Sequence, residues 1–216
     1  GGGLYVFLPP PSIDPGAAGR GGGIFNSGRL TITQSAVAGN FAGSSGRLSS
    51  YRFVRCASGG NGGGIYNTGA LVVANSTIAN NRAPDGDGAF TLYLEAAPGD
   101  GGSGGGVVNA GSARLDNVVV HGNIAGHGGI VSNGECVGAL HSLGFNLVQV
   151  VDGCTLTGTV DSNIYGLDPG LGPLGLFNST TLLHYAPYTG AAVDRGDCID
   201  STGAPVTADQ GGTVRP

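Results

Sequence analysis

The sequence predicts an all-β fold, a right-handed parallel β-helix (a solenoid) with extended coils and a C-terminal cap. Three observations predict it. One pattern occurs three times without an internal gap: GGGIFNSGRLTITQSAVAGN from Gly21, GGGIYNTGALVVANSTIANN from Gly62 and GGGVVNAGSARLDNVVVHGN from Gly104. The copies start 41 and 42 residues apart, and a fixed period of this size marks stacked structural repeats. Finally, 45 Gly and 11 Pro in 216 residues leave no apolar run with a 3.6-residue period long enough to nucleate a helix.

Within a copy, the Gly triplet permits a sharp corner, because Gly adopts positive φ without a steric cost. An apolar residue and an Asn follow, with Ile24, Ile65 and Val107 in register and Asn26, Asn67 and Asn109 two positions on. Asn tolerates the left-handed region, and its amide can bond to the same Asn one coil away, so these three are expected to form a ladder. Gly28, Gly69 and Gly111 mark the next turn. An alternating run then reads Leu30, Ile32 in the first copy and Leu71, Val73 in the second, the period of a strand with one buried face. Leu115 is aligned with Leu30 and Leu71 by allowing a loose fit over Ser112–Arg114. The copy closes on Asn40, then Asn80 or Asn81, then Asn123. Two short strands per coil follow from this reading. Disorder and collagen are set aside, because the glycines sit at repeat offsets with alternating apolar residues between them, not at every third position.

A minimal coil needs about 20–25 residues. The excess lies between Gly43 and Asn61 and between Ala83 and Ser103, and each part holds an apolar run, Tyr51–Val54 and Phe90–Leu94. Tyr5–Leu8 precedes the first full repeat in the same relative place. These runs are expected to be additional strands stacked on one side, the alternative being unstructured insertions. One continuous solenoid domain is expected, with β-helix repeats over 1–134 and C-terminal coils and cap over 135–216. Past Asn133 the repeats give way to Pro-punctuated short strands, as a terminal cap requires.

Composition narrows function. A net charge of −5 with no basic cluster argues against nucleic acid, and no apolar stretch is long enough to form a transmembrane span. The chain lacks Met and opens on Gly1-Gly2-Gly3-Leu4, which reads as a processed or partial product starting a coil. Four cysteines suit an exported protein. Cys136 and Cys154 are 18 apart, close to one coil, and are a candidate structural disulfide. Cys56 and Cys198 are either free thiols or bridges between molecules. Asn75 and Asn178 stand in glycosylation sequons, although such tripeptides also arise by chance.

The segments Ser142-Leu-Gly-Phe-Asn-Leu147, Asp152-Gly-Cys-Thr-Leu-Thr-Gly158, Leu167-Asp-Pro-Gly-Leu-Gly-Pro-Leu174 and Asp209-Gln-Gly-Gly-Thr-Val-Arg-Pro216 resemble the bacterial surface family of choice-of-anchor Q domain proteins. The GGGIYN-type repeats are similar to the β-helical half of those proteins and to polymorphic outer-membrane proteins. The sequence departs from the family pattern at Phe177–Thr180, Gly190–Asp194 and Gly211. The resemblance implies secretion to the cell surface or the extracellular space, with a β-helix as the fold.

No catalytic group is expected. Asp85, Asp87, Glu95 and Asp100 fall in one spacer and Asp116 in a strand, without the paired geometry of hydrolytic carboxylates. Asp85-Gly-Asp87 lacks the further ligands of a calcium loop, and Asp194, Asp197, Asp200 and Asp209 read as turn residues. His121, His127, His141 and His184 lack metal-ligand spacing. No metal or cofactor is expected. The functional expectation is a non-enzymatic, extracellular structural subunit that self-associates end to end into a surface layer or filament. The alternative is an adhesin for surface glycans, and a polysaccharide lyase or hydrolase ranks third.

Overall fold

The computed structural model describes residues 17–44, 58–86, 99–127, 134–176, 182–184, 189–200, 202–209 and 214. The runs Tyr5–Leu8, Tyr51–Val54 and Phe90–Leu94 lie outside them, as do Cys56, Asn178, Asp87 and Glu95. Among the described residues there is no helix, and all but one of the strand pairings are parallel.

Each of the three repeats carries three strands, one more than the repeat body predicts. The first holds β1 (Ile24–Asn26), β2 (Arg29–Thr33) and β3 (Ala36–Ala38). The second holds β4 (Ile65–Asn67), β5 (Ala70–Ala74) and β6 (Thr77–Ala79). The third holds β7 (Val107–Asn109), β8 (Ser112–Asp116) and β9 (Val119–His121). A fourth layer follows, with β10 (Cys136–Gly144) and β11 (Leu147–Val148), and on it a partial fifth, with β12 (Cys154–Gly158) and β13 (Ile164–Tyr165). An antiparallel pair, β14 (Leu174–Gly175) and β15 (Leu183–His184), stands apart.

Equivalent strands pair in register. The first strands run β1-β4-β7 and end on the start of β10, where Cys136 pairs with Val107. The second strands run β2-β5-β8, then the end of β10, then β12. The third run β3-β6-β9-β11-β13. Ala113, not Leu115, is the partner of Leu71, and Leu115 lies opposite Val73. The third copy therefore aligns without any slip, and the small side chain at 113 takes a core position that is Leu in the other two.

The alternation places one face of every strand inward. Ile65, Val107 and Cys136 form one buried row, Val73 and Leu115 another, and Ile78, Val120 and Val148 a third. Burying such side chains stabilises by roughly 1.5–3 kcal/mol each, and this is the main attraction between layers. The corners use left-handed backbone. One corner has Gly39, Asn80 and Gly122, which identifies Asn81, not Asn80, as the equivalent of Asn40. The corner between the second and third strands has Gln34, Asn75, Asn117 and Phe145.

Between the ends of the third strands and the starts of the first, the layer closes as a seam of bare backbone. Gly22, Gly63 and Gly105 lie against the backbone of Phe41, Arg82 and Ile124, which bridge one another in parallel. A narrow neck lies just beyond, where Ser44 pairs with Gly59 and the Gly102 N–H donates to the Pro84 carbonyl at 2.9 Å.

Candidate functional site

The most developed polar feature is a pair of asparagine columns. In the first, Asn26 Nδ2 donates to Asn67 Oδ1 and Asn67 Nδ2 to Asn109 Oδ1, both at 2.7 Å, while Asn109 Nδ2 ends on the Ala139 carbonyl at 2.6 Å. Each Oδ1 also accepts the N–H two residues on, as in Asn26 with Gly28 at 3.1 Å, so one side chain holds the corner and the layer below together. In the second column Asn40 Nδ2 donates to Asn81 Oδ1 at 2.9 Å, and Asn81 Nδ2 to Asn123 Oδ1 at 2.8 Å. All these amides are engaged in holding backbone or one another.

Cys136 and Cys154 are bonded, with Cα atoms 5.3 Å apart, at the point where β10 and β12 begin to pair. Cys198 is an exposed free thiol. Asn75 sits at a left-handed corner with its Oδ1 accepting from Asn117 Nδ2 at 2.6 Å, and the sequon's central Ser76 is buried. Over this corner passes the C-terminal segment. Asn117 Nδ2 also reaches the Asp197 carbonyl at 3.2 Å, and Gln34 Nε2 donates to the Ala208 carbonyl at 2.9 Å. An open cleft of about 270 Å³ remains between Asn75, Ser76, Thr77 and Asn117 on one side and Ala192 and Gly196 on the other.

Asp85 accepts the His127 N–H at 2.8 Å and pairs with Arg82 at 3.0 Å, and the backbone bond from His127 is the main influence holding its pKa low. Asp200 accepts from the Thr202 hydroxyl and from the N–H groups of Thr202 and Ala204, which lowers its pKa and defines a turn. Asp116 is buried, and its pKa is raised by that burial and by the nearby charges of Asp197 and Asp200. Glu135 is buried to the last percent of its surface, and burial raises its pKa in spite of several backbone N–H groups around it. The ring nitrogens His121 Nδ1 and His184 Nε2 are buried without a partner. Among the described residues, no three His, Cys, Asp or Glu side chains are placed to hold a metal ion. None of their helices is long and apolar enough to cross a membrane, which leaves strand-based membrane proteins untouched.

The outer surface carries aromatic groups near the seam. Phe25 and Tyr66 stack with centroids 5.8 Å apart and planes within 3°, and the Arg20 guanidinium lies 5.1 Å from the Tyr66 centroid. Arg82 lies 5.9 Å from the Phe41 centroid, and Phe25, Phe41 and Ile124 are all at least half exposed. Sequence reading missed the Phe25–Tyr66 stack, because the two residues meet only once β1 pairs with β4. No family model matches the chain, and no curated protein or solved structure matches it either.

Proposed function

We propose that the chain is a right-handed parallel β-helix acting as a non-enzymatic, extracellular structural subunit that associates end to end. The observation that carries the reading is in-register parallel pairing at both 41 and 42 residues in three successive sheets. Parallel strands joined by crossovers are right-handed in nearly all proteins, which supplies the handedness. The Cys136–Cys154 bond fits an oxidising compartment, and so does the resemblance of residues 142–174 to bacterial surface proteins.

Self-association is supported by the sheet ends. Among the described residues, β1, β2 and β3 each terminate a sheet, and β12 and β13 terminate two of the three at the opposite end. Terminal strands carry unpaired N–H and C=O groups that template further pairing. A head-to-tail contact of this kind does not close and therefore grows into a filament or layer. Sedimentation velocity and electron microscopy of the purified chain test this: concentration-dependent oligomers of uniform width support it, and monodisperse monomers at high concentration refute it.

Carbohydrate binding is a second reading, favoured by the exposed Phe25 and Phe41 beside Arg20 and Arg82. Aromatic faces stack on sugars while guanidinium groups take hydroxyl or acidic substituents. Saturable binding on a glycan array that is lost in the Phe25→Ala, Phe41→Ala double variant would favour it.

A further inference from the structure

The fourth layer departs from the repeat at two linked positions. Gly23, Gly64 and Gly106 occupy equivalent places in the first three layers, and a Cβ on any of them would come within 3.0 Å of the carboxamide of Asn40, Asn81 or Asn123 respectively. A side chain at the glycine position and an asparagine in the column therefore compete for one space. In the fourth layer the backbone carbonyl of Glu135 accepts the N–H groups of Gly106 and Val107, as Gly106 does for Ile65. Glu135 is thus the equivalent of those glycines. The matching asparagine is gone, since Gln149-Val150-Val151 follows β11.

The carboxylate does what the missing asparagine would do. Asn81 Oδ1 accepts the Asn40 N–H at 3.0 Å, and Asn123 Oδ1 accepts the Asn81 N–H at 3.1 Å. Glu135 Oε1 accepts the Asn123 N–H at 3.2 Å, and its Oε2 accepts the Val150 N–H, also at 3.2 Å. We propose that Glu135 is the terminal rung of the Asn40–Asn81–Asn123 column, a carboxylate that completes the last backbone bond and ends the repeat. An asparagine carries both an acceptor and a donor and passes the pattern on, whereas an ionised carboxylate only accepts and has no N–H to offer another layer. Its long side chain is tolerated only here, because the sheet of first strands goes no further than β10 among the described residues. Gly-Glu-Cys in place of Gly-Gly-apolar is then a readable stop signal, followed at once by the Cys136–Cys154 bond.

The test is residue-resolved amide exchange on the whole chain carrying Glu135→Gln, which keeps the shape but turns one acceptor into a donor. The expected result is exchange at least tenfold faster at Asn123 or Val150, with Asn40 and Asn81 amides unchanged. Glu135→Ala should accelerate both Asn123 and Val150. If Glu135→Ala fails to fold, the glutamine variant alone decides. Wild-type exchange at Asn123 and Val150 in folded Glu135→Gln would overturn the proposal, as would uniform acceleration through all layers.

Discussion

At the scale of single residues, the asparagine columns explain why polar side chains sit inside a core whose other occupants are apolar. Asn67 is fully buried and bonded on both sides, whereas Asn26 ends its column. Removing a buried partner leaves neighbours unsatisfied at about 1–3 kcal/mol. Asn67→Ala should therefore lose more stability than Asn26→Ala, by about 1–2 kcal/mol in urea unfolding, since it strands two amides instead of one. Asp116 gives a pH dependence. Burial and the charges of Asp197 and Asp200 raise its folded pKa, so the folded state holds this proton more tightly than the unfolded one. Its contribution is full below the unfolded carboxylate range near pH 4 and is lost as pH rises through the raised folded value. In Asp116→Asn this decline in melting temperature with rising pH should be reduced, leaving the part that the raised pKa of buried Glu135 contributes. The sequence exposed the first asparagine column directly, through Asn26, Asn67 and Asn109. It left the second ambiguous, because Asn80 and Asn81 are adjacent and only backbone conformation assigns one to the corner and the other to the column.

At the scale of elements, the repeat made β1 and β2 and their equivalents visible, and concealed β3. Ala36-Val-Ala38 has one strongly apolar residue, and its strand character depends on Val37, Ile78 and Val120 adding up across layers. The loose alignment of Leu115 is replaced by the register, which requires Ala113 in the core row opposite Leu71. The glycine seam was legible as glycine and not as a seam, since nothing local says which backbone will lie against it. Gly63 faces the backbone of Arg82 and the carbonyl of Gly105, with no room for a Cβ. Gly28 has open space around the same position. Gly63→Ala should cost about 3 kcal/mol or abolish folding, and Gly28→Ala should stay within about 0.5 kcal/mol, as read by thermal unfolding.

At the scale of the molecule, the proposed end-on contact depends on strand edges more than on any pocket. Thr31 is exposed on β2, the terminal strand of its sheet among the described residues. A lysine on such an edge opposes pairing with another chain. Thr31→Lys should leave the melting temperature within a few degrees and shift sedimentation to the monomer. If oligomers persist unchanged, the contact lies elsewhere. The sequence told least at this scale. The contacts of Asp197 and Ala208 with Asn117 and Gln34 are made between residues separated by 80 and 174 positions. No short motif records a pairing over such distances.

That separation has a consequence in time. Layers that bond only to their neighbours can form one after another as the chain is synthesised, each on the one before. The bond from Gln34 to Ala208 cannot. It joins the earliest described layer to a residue 174 positions further along, so that layer stays unclasped until Ala208 has been made. A ribosome-bound chain stopped at Pro169 would hold every layer from β1 to β13 and none of the fastening that spans them.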